Sequence, residues 1–188
     1  NGNLGPEKTS TLEGGFESSF FDGRFGLDFT VYQSRTTNAL FEVPEQPATG
    51  RGLQFRNVGE IRNVGTELSA DVRVLQLENL FWQVGGSWSW NQNEMESLGG
   101  AAPFNIGGSA EFAQQRVKEG QPIGAWRATT PYDSNGDGQL DASEFRFTGE
   151  TPFPVHTGAF TTSLTVQNFR LFALADWATG SEVLDWGS

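Results

Sequence analysis

Leu80-Phe81-Trp82-Gln83-Val84-Gly85-Gly86-Ser87-Trp88-Ser89-Trp90-Asn91 alternates between apolar and polar residues along its length. Successive side chains of a β-strand point to opposite faces, so Trp82, Val84, Gly86, Trp88 and Trp90 share one face and Gln83, Gly85, Ser87 and Ser89 the other. One face needs an apolar surrounding and the other needs water. Trp82 and Trp90 stand eight residues apart, which at about 3.3 Å per residue and roughly 40° of strand tilt separates them by ~20 Å along the normal of a layer crossed by the strand. That is close to the height of the apolar band of an outer-membrane barrel, whose two borders carry aromatic girdles.

Working outward, the same period yields five more strands, giving six at about 10–21, 24–34, 64–75, 80–91, 156–167 and 169–178. In the first, Leu12, Gly14, Phe16, Ser18 and Phe20 oppose Thr11, Glu13, Gly15, Glu17 and Ser19; in the second, Phe25, Leu27, Phe29 and Val31 oppose Gly26, Asp28, Thr30 and Tyr32. In the third, Leu68, Ala70, Val72 and Val74 oppose Glu67, Ser69, Asp71 and Arg73. The sixth leaves its faces open: Leu171, Ala173, Ala175 and Trp177 compete with Phe172 and Leu174, and Asp176 favours the latter set as the inward row. Asp22-Gly23 predicts a two-residue type I′ hairpin, and short turns are expected around Leu77-Glu78-Asn79 and Gln167-Asn168. Between the pairs lie two long polar segments, 35–63 and 92–154, the first broken by Pro44, Pro47, Gly50 and Gly52 and expected to be one extended loop. Connections therefore run short, long, short, long, short, with both long ones at the same end.

Composition agrees. The 188 residues carry a net charge of −11 with 24 Gly, 16 Phe and 6 Trp, an aromatic- and Gly-rich balance typical of β-proteins. The scattered Lys and Arg exclude a phosphate backbone as partner, hence no nucleic acid. Without Cys there is neither a disulfide framework nor a thiolate nucleophile. No segment approaches the roughly 20 apolar residues of a spanning helix, and a strand-built membrane protein escapes that test. The N-terminus has neither the basic start nor the apolar core of a signal peptide. A soluble sandwich is the competing fold, but it normally shows turn signals every 8–12 residues. Six strands cannot close a membrane barrel, so the chain is expected to be part of a longer one.

Several stretches then resemble one family, the SusC/RagA-type TonB-dependent transporters of outer membranes, in the C-terminal half of their barrel. They are Asn3-Leu4-Gly5-Pro6-Glu7-Lys8-Thr9 with Leu12-Glu13-Gly14-Gly15-Phe16, then Asp28-Phe29-Thr30-Val31-Tyr32. Asn57-Val58-Gly59-Glu60-Ile61-Arg62-Asn63-Val64-Gly65-Thr66-Glu67-Leu68 follows as the most specific, with Gly120-Gln121-Pro122-Ile123-Gly124-Ala125-Trp126 and Tyr132-Asp133-Ser134-Asn135-Gly136-Asp137-Gly138 in the same order. The resemblance implies an all-β, antiparallel up-and-down barrel of about 22 strands around a plug, set in the bacterial outer membrane and importing a nutrient such as a glycan or peptide. It further implies membrane lipid, a plug domain, TonB and a SusD-like surface lipoprotein as partners. Neither plug nor TonB-contacting segment is found in this sequence, so those functions attach to none of its residues.

Asp133-Ser134-Asn135-Gly136-Asp137-Gly138-Gln139-Leu140-Asp141-Ala142-Ser143-Glu144 meets the spacing of a twelve-residue calcium loop, with ligands expected from Asp133, Asn135, Asp137, the Gln139 carbonyl, Asp141 and Glu144 and glycine in the sixth place. Pro131 before it and Phe145-Arg146-Phe147 after it replace the usual helices, which favours a structural calcium in a long outside loop over a sensor. Glu13, Glu17, Asp28, Glu67 and Asp71 are expected to be inward lumen carboxylates facing basic groups of a plug, with no pocket to make them catalytic acids. His156, the single His, is expected to face solvent, and no phosphate loop or nucleophile elbow occurs, so no enzyme is expected. Phe104, Phe112 and Trp126 are candidates for stacking on a sugar or for packing the loop. The competing function is a soluble, calcium-stabilised β-domain that binds carbohydrate.

Overall fold

The computed structural model describes residues 4–44, 52–109, 113–129, 135–139 and 145–183. Six long strands form one antiparallel sheet in the order β1 (Lys8–Phe20), β2 (Phe25–Thr37), β5 (Glu60–Leu77), β6 (Leu80–Ser97), β11 (His156–Val166) and β12 (Phe169–Thr179). No second sheet packs across it among the described residues, so the sandwich is not the fold. β5 and β6 run 18 residues each, longer than alternation alone predicts, because polar residues continue the pairing past the apolar rows.

The register fixes the faces. Phe16, Phe29, Leu68 and Gly86's neighbour Trp88 fall in consecutive partnerships across β1, β2, β5 and β6, and Trp88 pairs onward with Gly158, which pairs with Trp177. The apolar residues therefore lie on one surface, where Leu12 is 80%, Phe160 50% and Leu171 65% exposed. In β12 this settles the open question: Leu171, Ala173, Ala175 and Trp177 belong to the apolar surface, and Phe172, Leu174 and Asp176 to the polar one. Clefts lined by Asp28, Thr30, Glu67, Glu17 and Asp71 lie on the polar surface, which is thus the concave side of the curved sheet.

Two glycines make room for rings on these surfaces. A Cβ on Gly158 would stand 2.4 Å from the indole of Trp177, and one on Gly65 would stand 2.4 Å from the phenol ring of Tyr32. Each aromatic lies over the bare backbone of its cross-strand partner, a close packing that only glycine permits.

Three local expectations are corrected. The β1–β2 connection is a four-residue turn at 21–24, in which Phe21, Asp22 and Gly23 all have positive φ, rather than a two-residue turn at Asp22-Gly23. At Val74 a bulge interrupts β5, so Leu75 pairs with Trp82 and Leu77 with Leu80; beyond Val72 the apolar row continues on Leu75 and Leu77, not Val74. The segments 35–63 and 92–154 are not structureless. The first contains a hairpin of β3 (Leu40–Pro44) and β4 (Leu53–Asn57), and the second contributes a four-stranded sheet, β7 (Phe104–Ser109), β8 (Ala113–Val117), β9 (Ala125–Thr129) and β10 (Phe145–Phe147), in the order β10-β9-β8-β7.

These pieces and the protruding ends of β5 and β6 close around a small core of Val43, Val58, Met95, Leu98, Phe104 and Val117. Met95 and Val117 are fully excluded from solvent. Backbone bonds tie the layers: the Met95 N–H donates to the Gln121 carbonyl at 3.0 Å and the Gly120 N–H to the Met95 carbonyl at 2.9 Å, while Asn93 Oδ1 accepts the Ile123 N–H at 2.7 Å. Among the described residues the core thus sits beyond one end of the sheet. Replacing Met95→Ala is expected to cost this layer about 2–5 kcal/mol, measured as faster amide exchange in β8 with β1 and β2 unchanged.

Candidate functional site

On the concave surface a single row crosses all six strands: Glu17, Asp28, Ser69, Ser87, Ala159 and Asp176 are successive partners. The next row toward the loop end runs Gly15, Thr30, Glu67, Ser89, Thr157 and Ala178. Short hydroxyl residues in the middle strands keep the surface low, so the two rows enclose a trough of about 540 Å³ whose ionisable lining is Asp28, Glu67 and Asp176. Ser69 Oγ donates to Asp28 Oδ2 at 3.2 Å, and the Ser89 and Thr157 hydroxyls bond to each other at 2.6 Å. Glu17 directly opposes Asp28, a like-charge pairing that costs energy unless a cation or basic group faces it. The sequence-predicted inward carboxylates Glu13, Glu17, Asp28, Glu67 and Asp71 all fall on this surface, and Asp71 leans over Gly26, where a Cβ would meet its Oδ1 at 2.3 Å.

On the convex surface His156 is not a free solvent group. Its ring stacks on Trp88 with centroids 5.8 Å apart, and its Nδ1 is buried without a hydrogen-bond partner. Trp82 Nε1 donates to Thr162 Oγ1 at 2.9 Å, satisfying the indole at the opposite border. Past the Trp90 row, Arg35 and Arg62 stand directly opposite each other on β2 and β5. Glu96 bridges them, at 3.0 Å from Arg35 Nε and 3.3 Å from Arg62 Nε; Glu60 pairs with Arg35, and Glu94 with Arg62 at 2.8 Å. Sequence reasoning missed this cluster, because its members lie on three strands and only the register brings them together.

Of the aromatic loop candidates, Phe104 is buried and meets Phe41 edge-on at 5.6 Å, so it packs the loop core. Trp126 Nε1 donates to the Glu182 carbonyl at 2.9 Å. Phe112 lies outside the described residues, as do Asp133, Asp141 and Glu144 of the expected calcium loop. Within its described part, Asn135 Oδ1 accepts the Asp137 N–H at 2.9 Å and Asp137 Oδ1 accepts the Gln139 N–H at 2.7 Å. Gly138, in the sixth place, has φ of 78°.

Comparison with known proteins places these features. The family model described as TonB dependent receptor-like, beta-barrel matches residues 1–177. TonB-dependent receptor P3 of Formosa agariphila is 26% identical over 99% of this chain and 22% of its own length. TonB-dependent receptor SusC of Bacteroides thetaiotaomicron is 30% identical over 53% of this chain and 10% of its own. The RagAB peptide importer in its closed-closed state superposes on 93% of this chain and 21% of its own with a TM-score of 0.74 at 19% identity, a likeness of fold. The chain spans about a fifth of the length of the relatives it matches most fully.

Glu96→Gln removes the carboxylate that separates Arg35 from Arg62. It is expected to loosen the loop ends of β2, β5 and β6 slightly, an effect that shrinks in roughly 1 M salt. Amide exchange at those strand ends at low and high salt measures it.

Proposed function

Because this chain belongs to the TonB-dependent receptor β-barrel family, as a segment of its SusC/RagA type, we propose that it forms part of the barrel wall of an outer-membrane importer of a nutrient such as a glycan or peptide. The observation that carries this reading is the division of one six-stranded sheet into an apolar convex and a polar concave surface. Such a sheet suits lipid on one side and a solvated lumen on the other. In lipid the outer sides of β1 and β12 need further strands to satisfy their backbone groups, which the rest of the whole protein supplies. The loop layer then lies at the cell exterior, where a SusD-like lipoprotein would sit, and TonB acts through the plug. The wall itself performs no bond chemistry: it excludes lipid, presents polar groups to the solute and holds the plug.

The acidic rows support a reading of how the plug is held. Asp28, Glu67 and Asp176 face basic groups of the plug, which removes the repulsion that Glu17 and Asp28 would otherwise keep. In the full-length protein, Asp28→Asn with Glu67→Gln is expected to speed proteolysis of the plug about 5-fold or more, the effect of roughly 1 kcal/mol. An unchanged rate overturns this assignment.

Calcium in the loop from Asp133 to Glu144 belongs to the same proposal. Support comes from the turn at 135–139, where the glycine in the sixth place takes the left-handed conformation that such a loop requires. Asp133, Asn135, Asp137, the Gln139 carbonyl, Asp141 and Glu144 would hold the ion, which stiffens the loop. Calorimetric titration of the full-length protein with CaCl2 is expected to lose one bound equivalent on Asp137→Ala, and equal stoichiometry in the two proteins refutes the site.

A further inference from the structure

Of the asparagines in this sequence only Asn1 and Asn135 are followed by glycine. Glycine has no Cβ to shield its backbone nitrogen, so the side-chain amide carbon of a preceding asparagine can approach that nitrogen closely. Asn135 opens the described turn 135–139, whose residues are all exposed to solvent. Gly136 has φ of 78°, a left-handed conformation that glycine adopts freely and other residues adopt under strain. A surface Asn-Gly turn is ordinary in itself, and it is the hydrogen bonding of the Asn135 side chain that points to chemistry.

That side chain is folded back along the peptide that follows it. Asn135 Oδ1 accepts the Asp137 N–H at 2.9 Å, and Asn135 Nδ2 donates to Asp137 Oδ2 at 3.1 Å. The first bond closes a small ring that includes both the amide carbon Cγ of Asn135 and the backbone nitrogen of Gly136, so the two are held as near neighbours. Both bonds also suit a reaction between them. Attack of the Gly136 nitrogen on Cγ drives negative charge onto Oδ1, where the Asp137 N–H already donates. The departing Nδ2 gains a proton and positive charge, and the Asp137 carboxylate already accepts from it. One residue, Asp137, thus answers both charges that develop.

We infer that Asn135 is a site of spontaneous deamidation assisted by Asp137. The bond from the Gly136 nitrogen to Cγ forms, the Cγ–Nδ2 bond breaks, and the Gly136 amide proton leaves with the side-chain nitrogen as ammonia. The five-membered imide that results takes up water at either of its carbonyls and opens to aspartate or to isoaspartate; nothing is oxidised or reduced. Either product adds a negative charge to an already acidic segment, and isoaspartate lengthens the backbone by one carbon between Asp133 and Asp137. The exposed turn therefore undergoes a slow, one-way change of charge and spacing. Deamidation needs neither a bound cation nor uptake, so its result stands apart from the calcium and transport proposals.

The test incubates the full-length protein in detergent with EDTA at mildly alkaline pH, in parallel with the same protein unfolded in urea. The tryptic peptide Ala128–Arg146, in which Asn135 is the one asparagine, is followed by mass spectrometry, with isoaspartate identified by enzymatic methylation. Asn135 is expected to convert in the folded protein at least as fast as in urea. Asp137→Ala is expected to slow conversion in the folded protein about tenfold and to leave the rate in urea nearly unchanged. A slower rate in the folded protein than in urea, or equal rates in the folded Asp137→Ala and unaltered proteins, overturns the inference.

Discussion

The hydrogen-bond ladder that runs from β1 through β2, β5, β6 and β11 to β12 is the constraint on which the rest of this protein depends. In an apolar surrounding an unpaired peptide group costs several kcal/mol, so every residue of a crossing strand must find its partner on a neighbour. Once the pairing is set, the side chains have no further freedom of side. A slip of one residue would turn Trp82, Trp88 and Trp90 toward the concave surface and Ser87 and Ser89 toward the convex one. The β5–β6 ladder absorbs an extra residue at two places, Val74 near the short turns and Glu96 near the loop end, both away from the acidic rows.

From the ladder follows a division of labour by height. Midway along the strands, the concave surface gathers carboxylates into rows that no single strand displays: Glu17 from β1, Asp28 from β2 and Asp176 from β12 reach the same row. Past the Trp90 level, Arg35, Arg62 and three glutamates replace apolar residues on the convex surface. Farther out the strands give way to a layer that packs in the ordinary manner of water-soluble proteins, around Met95 and Val117.

Alternation made the sheet legible, because a strand with two different surroundings must write both into its residues: Trp82 to Trp90 and Phe16 to Phe20 do so plainly. β12 was ambiguous since Phe172 and Leu174 are apolar on the polar side, and only pairing with β11 resolved it. The loop strands were hidden for a different reason. β3, β4, β8 and β9 have five residues each, too few for a period to emerge, and the breakers Pro44 and Gly52 stand at the end of β3 and just before β4. The acidic face was legible residue by residue, whereas the cluster at Glu96 depends on partners distant in sequence and leaves no local mark. Family resemblance supplied the barrel's identity from motifs such as Asn57 to Leu68, where packing explains part of the pattern: Val58 enters the loop core, Gly59 has positive φ, and Gly65 receives Tyr32.

The siting of the core beyond the sheet has a consequence for how this sequence can drift. Residues on the exposed convex surface meet no neighbour of fixed shape on their outer side among the described residues, so Leu, Phe and Val can exchange there provided the alternation survives. Met95, Val117 and Ala125 answer to neighbours of fixed shape, with no solvent contact, and each tolerates little change in volume. The segments that look most irregular in sequence are therefore the ones in which side-chain size is most tightly prescribed, and the strands that look most regular are the ones most open to substitution.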